Sequence, residues 1–288
     1  MSMFDKIILG TAQFGLDYGI NKYGKLSSDN IEEILQIAHN NQIRILDTAE
    51  IYGDALKIIG DFIKKSKMEF KLISKLNLKD EINSNNIDDH LRKNLEVLNS
   101  EKFFGYMFHD YKDFKNNLSI YEKLKNLQNN NIIDNVGISL YEHRHIEDIV
   151  NNFELNFIQV PFNLLDNHIS KKEIIKKAKS KNIEVHVRSI FLQGLFFGHN
   201  NNNKIKPLLK YIDNLNEIAK TNDLSIESLA IHYPLKKDYI DKVIFGVHNT
   251  KQLKDNINII NSEITIPESE LEKINVKERE LLKPYNWK

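Results

Sequence analysis

Short apolar runs rich in β-branched residues alternate with longer stretches whose apolar positions recur every three to four residues, from one end of the chain to the other. The short runs predict strands at 6–9, 43–46, 71–74, 103–108, 135–138, 157–160, 183–187 and 242–245. The longer stretches predict helices at 28–41, 54–65, 87–99, 116–131, 141–151, 171–181, 208–221 and 250–261. Ser27 or Ser28 before Asp29, and Thr250 before Lys251, read as helix N-caps, because a hydroxyl there accepts a hydrogen bond from a first-turn amide. Most strand ends lie about 20 to 37 residues apart, the size of one strand–helix–strand unit. The interval from 188 to 246 is longer, with room for a polar 198–207 loop and two helices. Eight strands, each followed by helical sequence, predict the α/β class and a single (β/α)8 TIM barrel occupying 1–288 as one domain. The alternative is an open doubly wound sheet. It calls for a Gly-x-Gly-x-x-Gly turn after the first strand, and Gly10, Gly15 and Gly19 have the wrong spacing.

Composition narrows the function classes. The 288 residues include 40 basic and 40 acidic side chains, a net charge of zero, with 41% hydrophobic and 28% charged residues. That is a soluble globular composition, without the basic surplus that neutralises phosphates, so no nucleic-acid partner is expected. With no cysteine, disulfides, thiolate metal sites and a cysteine nucleophile are excluded. The charged first six residues do not read as a signal peptide, and the apolar stretch 189–198 is about half a membrane helix. The expectation is a cytoplasmic protein without a membrane partner, a monomer or a simple homo-oligomer.

In a barrel of parallel strands the active site lies at the C-terminal strand ends. Read there, strand two ends at Asp47 with Tyr52 following in the loop, strand three ends at Lys75, and strand four ends at His109. Neighbouring strand ends converge on one mouth, so these four side chains are expected to meet. A phenol with its ordinary pKa near 10 is a poor acid–base at neutral pH, and a nearby ammonium stabilises the phenolate. Lys75 is placed to supply that charge, Asp47 to hold Lys75, and His109 to donate a hydrogen bond that orients a substrate oxygen. Alone, Asp47 and Lys75 also read as a structural ion pair, and His109 as a core histidine. The four in order at successive strand ends favour a proton-transfer site. No His-x-His pair follows strand one, and His143 and His145 have no third partner in sequence, so no metal is expected.

The chain resembles the aldo-keto reductase superfamily along nearly its whole length. The segments that carry the resemblance are Leu9-Gly10-Thr11-Ala12, Leu46-Asp47-Thr48-Ala49-Glu50-Ile51-Tyr52-Gly53, Ser74-Lys75 and His109-Asp110. They continue with Val136-Gly137-Ile138-Ser139, Gln159-Val160-Pro161-Phe162-Asn163-Leu164-Leu165, Gly194-Leu195 and the stretch from Gly246 to Asn256. The resemblance implies an NAD(P)-dependent oxidoreductase moving hydride between nicotinamide C4 and a carbonyl or alcohol carbon. By position, Tyr52 is the general acid in reduction and the base in oxidation, tuned by Lys75 and Asp47, while His109 orients the carbonyl. Ser139 and Gln159 would hold the nicotinamide carboxamide, Gly10 and Thr11 would lie beneath the cofactor, and Gly194 would border it. His109-Asp110 and the 187–195 segment look like bacterial members tied to sugar metabolism or surface glycans, implying a small carbonyl or sugar substrate. NADP(H) is implied first and NAD(H) second.

Three positions depart from the pattern. Leu140 stands where an asparagine commonly follows Ser139. Arg188 stands where an aromatic ring commonly stacks on the nicotinamide; its charge disfavours the oxidised, cationic ring, so it is expected to face an anionic or polyhydroxylated substrate instead or in addition. Where NADP-specific members carry Lys-Ser and an arginine, this chain has Gly246, Val247 and Gln252, with His248, Lys251 and Lys254 nearby and Asn256 retained for the adenine. The amides opening the Thr250 helix offer an anion site. Glu50 and Asp110 adjoin the catalytic positions, to shape the pocket or to be solvated. The Asn-rich 198–206 loop reads as a mobile insertion or a lid, and Trp287 as a rim residue or a C-terminal staple. Two other functions remain open: a cofactor-binding regulatory protein with little turnover, and a barrel lyase or isomerase using the same tyrosine.

Overall fold

The computed structural model describes residues 2–21, 23–78, 81–198 and 202–287. Eight strands close into a barrel in chain order, every pairing parallel. They are β1 (Ile7–Gly10), β2 (Ile45–Asp47), β3 (Lys71–Leu76), β4 (Gly105–Phe108), β5 (Val136–Ser139), β6 (Phe157–Pro161), β7 (Glu184–Arg188) and β8 (Lys242–Phe245). The helices are α1 (Ala12–Gly15), α2 (Ser28–Asn40), α3 (Ala55–Ser66), α4 (Ile87–Leu98), α5 (Tyr111–Asn116), α6 (Leu118–Asn129), α7 (His143–Asn152) and α8 (Ile169–Ser180). Then come α9 (Lys206–Thr221), α10 (Ile226–Leu235), α11 (Thr250–Asn261) and α12 (Glu268–Leu271). This is the (β/α)8 TIM barrel, with α9 and α10 filling the long interval before β8. No described helix is long and apolar enough to cross a membrane.

Side chains alternate across each strand. Ile8, Ile45, Ile73, Met107, Phe157 and Ile244 point inward and fill the barrel. Their neighbours Leu9, Leu46, Leu72, Phe108, Ile158 and Phe245 point outward into the core shared with the helices. Phe157 needs Gly137 beside it, because a Cβ there would come within 2.5 Å of the ring. On α3, Leu56, Ile59 and Phe62 recur at helical spacing and bury one face. Each such side chain contributes roughly 1.5–3 kcal/mol.

Two local readings change. Ser27 caps α2, its hydroxyl accepting from the Asn30 amide, but α11 is capped by Asn249, whose carboxamide oxygen accepts from the Gln252 amide, and not by Thr250. Asn249 is extended while Thr250 is already helical, so only the asparagine can reach back to an open amide. Phe103 lies outside β4 and makes an isolated bridge to Ile133. Of the 198–206 loop, 199–201 lie outside the described residues; Asn203–Ile205 form a single 3-10 turn that runs into α9.

Candidate active site

The inward position two residues beyond the packed layer carries a polar or small residue on every strand: Gly10, Asp47, Lys75, His109, Ser139, Gln159, Arg188 and Gly246. A period of two therefore places all eight on one surface, facing a cavity of about 990 Å³ at the C-terminal mouth. Thr11, Tyr52, Gly194, Gln252 and Asn256 complete the predicted set that lines it. Val247 does not. It stands one residue out of phase with Gly246, is 1% exposed and packs into the outer core.

Lys75 and Asp47 are 2% and 4% exposed. The Lys75 ammonium donates to Asp47 Oδ2 at 2.5 Å and to the Thr48 carbonyl at 3.0 Å. The other carboxylate oxygen, Oδ1, accepts from Gln159 Nε2 at 2.8 Å. Thr11 closes the base of the site, its amide and hydroxyl both donating to the Asp47 carbonyl at 2.9 and 3.0 Å. Tyr52 arrives from the β2–α3 loop, with Lys75 Nζ 5.3 Å from its ring centroid. Gly15 sets where that loop lies: a Cβ on it would stand 1.7 Å from the Tyr52 carbonyl oxygen, so only glycine permits the approach.

The electrostatics differ from the sequence-based expectation at Tyr52. Burial raises its phenol pKa, the Asp47 carboxylate raises it further, and Arg188 is the cation that opposes them. Lys75 is committed to Asp47, which explains why its charge does little for the phenol. Burial lowers the pKa of Lys75 against the pull of Asp47. Burial, with Lys75 and Arg188 nearby, pushes the His109 imidazole down to about 4, so it is neutral at neutral pH. The mouth therefore offers a protonated phenol and a neutral imidazole beside a paired ammonium.

Of the cavity's further neighbours, Tyr18, Tyr141 and Gln193 were not legible as site residues, whereas His248 stood beside the positions assigned to the adenosine phosphate. Tyr18, Tyr141, Gln193 and His248 also line the cavity. Gln193 Nε2 donates to the Tyr18 hydroxyl at 2.9 Å, the Ile20 amide donates to the Gln193 carbonyl at 3.0 Å, and His248 Nε2 lies 2.8 Å from the Tyr18 carbonyl. These bonds bring the β1 loop across the mouth to the β7 and β8 loops. Glu50 is the opposite case. Its carboxylate turns away from the cavity and accepts from the Asn77 amide, Asn94 and the Tyr106 hydroxyl, with His90 Nε2 at 3.0 Å. Asp110 caps α5. Trp287 both lines the cavity and staples the terminus, its indole N–H donating to the Leu281 carbonyl at 2.7 Å.

The residues assigned to the adenosine end are engaged. Gln252 Oε1 accepts from the His248 amide at 2.8 Å, Lys251 pairs with Asp255 at 2.7 Å, and Lys254 lies 4.0 Å from Glu33. At the other end Gln159 Oε1 is buried without a hydrogen-bond partner, and Ser139 Oγ accepts a long 3.3 Å bond from Arg188. An orphaned carbonyl oxygen facing a cavity fits a carboxamide donor. Among the described residues no three His, Asp or Glu side chains converge as a metal-binding group.

A TIM barrel with a tyrosine, a lysine–aspartate pair and a histidine around one deep mouth is built as a barrel enzyme. A profile of the Aldo/keto reductase family matches residues 6–278, and the chain belongs to that family. It is an NAD(P)-dependent aldo-keto reductase, a class that acts on small-molecule carbonyl substrates with a nicotinamide cofactor. Among solved structures, the holo form of aldo-keto reductase AKR11C1 from Bacillus halodurans is similar, at 17% identity over 95% of this chain and 94% of that one, TM-score 0.77. The glycerol dehydrogenase AKR11B4 from Gluconobacter oxydans is similar at 19% identity over 93% and 90%, TM-score 0.74. No curated protein matches the chain.

Proposed function

We propose that the chain reduces the carbonyl of a small, oxygen-rich, sugar-like substrate, with Tyr52 delivering the proton. The observation that supports this best is the shared inward register of Asp47, Lys75 and His109, which lines them with Tyr52 around one cavity. The nicotinamide, when bound, supplies the hydride. Gln159 Oε1 and Ser139 Oγ would hold its carboxamide, Gly10 and Thr11 would lie beneath the cofactor with Gly194 at its border, and Gly246 and Asn256 would hold its adenosine end. Tyr52, held protonated by burial, gives its hydroxyl proton to the developing alkoxide in reduction and takes it back in oxidation. Neutral His109 donates a hydrogen bond that orients the carbonyl. Lys75 holds Asp47 in place through their ion pair, and Arg188 is the cation that favours the phenolate left behind. NADP(H) comes first and NAD(H) second: Lys251 and Lys254 sit in exposed, solvent-screened ion pairs, so exchange onto a 2′-phosphate costs little.

Titration of wild type and Tyr52→Phe with NADPH and NADH is the test. Both proteins are expected to bind cofactor alike, and only wild type to turn over aldehydes. Binding without turnover by wild type would favour the regulatory reading, and binding by neither would remove the oxidoreductase assignment of this cavity.

A further inference from the structure

Each buried lysine of the described structure faces a carboxylate. Lys75 has Asp47, Lys171 has Asp166, and Lys237 has Glu268. Arg188 has none, although it lines the cavity at the end of β7. Its hydrogen bonds are long and go to neutral hydroxyls, 3.3 Å to Ser139 and 3.4 Å to Ser189. The guanidinium lies 4.1 Å from the centroid of the Tyr141 ring, which fixes its plane and leaves N–H groups of the fork unused. A partly desolvated charge without a counter-charge is costly to keep unless a ligand completes it.

The surroundings are short of acceptors. Tyr18 accepts from Gln193 through its hydroxyl oxygen, so its own O–H is free to donate. Burial, with Tyr52 close by, pushes that phenol up to about 12, so it stays a donor at neutral pH. Tyr141 offers a second hydroxyl beside the guanidinium. A planar cation flanked by neutral O–H donors matches a carboxylate, which accepts two parallel bonds from an arginine fork.

We propose that Arg188, with Tyr18 and Tyr141, forms an acid-recognition subsite, and that the physiological substrate carries a carboxylate as well as the reducible carbonyl: an oxo acid or an acidic sugar. This rests on the reductase reading and narrows its substrate class.

The test compares matched pairs, 4-oxobutanoate against butanal and D-glucuronate against D-glucose, as NADPH-dependent substrates of wild type, Arg188→Lys and Arg188→Gln. Calorimetric titration with succinate runs in parallel. Wild type is expected to prefer the acid in at least one pair by about tenfold or more in kcat/KM, mostly through KM. Arg188→Gln is expected to bring that ratio toward one and to abolish succinate binding, with Arg188→Lys between. An unchanged ratio in Arg188→Gln, together with weaker NADPH binding, would assign Arg188 to the cofactor and overturn the subsite. Equal or better use of the neutral partner in both pairs by wild type would overturn it as well. If wild type reduces no aldehyde, the reductase reading fails separately; succinate binding that depends on Arg188 would still support the acid subsite, and its absence would sink it.

Discussion

Lys75 and Lys171 are both withdrawn from solvent, at 2% and 6% exposure, and each faces one aspartate, Asp47 and Asp166. Each also donates to a backbone carbonyl, Lys75 to Thr48 at 3.0 Å and Lys171 to Pro161 at 3.1 Å. By residue type and burial they are the same device. Their surroundings separate them. Asp47 and Lys75 are inward-facing and line the mouth cavity, and Asp47 is shared with Gln159. Asp166 and Lys171 line no part of that cavity; they tie the loop after β6 to α8. A buried ion pair is a poor guide to function until its access to a ligand-sized space is known. The same pairing therefore has a cavity-facing setting and an enclosed one within a single barrel.

The sharpest way to break this comparison is Lys75→Met. Turnover is expected to fall by about 10²–10⁴ in kcat, measured at saturating NADPH. Its loss of unfolding free energy should be the smaller of the two, because Gln159 still donates to Asp47. Lys171→Met is expected to do the reverse. Leaving Asp166 buried and unpaired should cost roughly 3–5 kcal/mol in urea unfolding, with activity per folded molecule near wild type. Equal stability losses, or a greater activity loss from Lys171→Met, would end the distinction between the two pairs.

Gly15→Ala tests whether the mouth depends on backbone position as well as side-chain type. The added Cβ must displace the Tyr52 loop, at an expected cost of about 1–3 kcal/mol in stability and on the order of 10² in kcat. Cofactor titration should change little. The smallest effect concerns pH. His109 is held neutral down to about 4, so kcat/KM should show no break near the ordinary histidine pKa and should decline only as the pH approaches 4. The sign follows from charge: protonation there creates an imidazolium beside Lys75 and Arg188. A break between pH 6 and 7 that disappears in His109→Gln would show that the imidazole is less desolvated than its position implies.

Much of the site was legible because strand parity is a local rule. Asp47, Lys75, His109, Ser139, Gln159 and Arg188 each lie at or near the C-terminal end of a strand on its inward parity, where a polar residue has only the mouth to face. Val247, placed by the family resemblance, stands one step out of phase with that rule and packs into the outer core. Glu50 could not be assigned from sequence, because it lies in a turn where parity lapses; the partners that draw it away from the cavity come from the residue after β3, from α4 and from β4. Tyr18 and Gln193 are 175 residues apart and meet only through loop geometry, so no local signal announced them.

The sequence by itself determined the barrel, since eight apolar runs separated by amphipathic stretches can bury their surface in few other ways, and it determined which strand ends carry reactive groups. The tertiary structure decided what each group is free to do. It commits Lys75 to Asp47, leaves Arg188 without a carboxylate, and lines one cavity with Tyr18, Tyr52 and Tyr141 among its tyrosines. Burial and pairing are sums over contacts from distant parts of the chain, and residue order does not contain those sums until the barrel has closed.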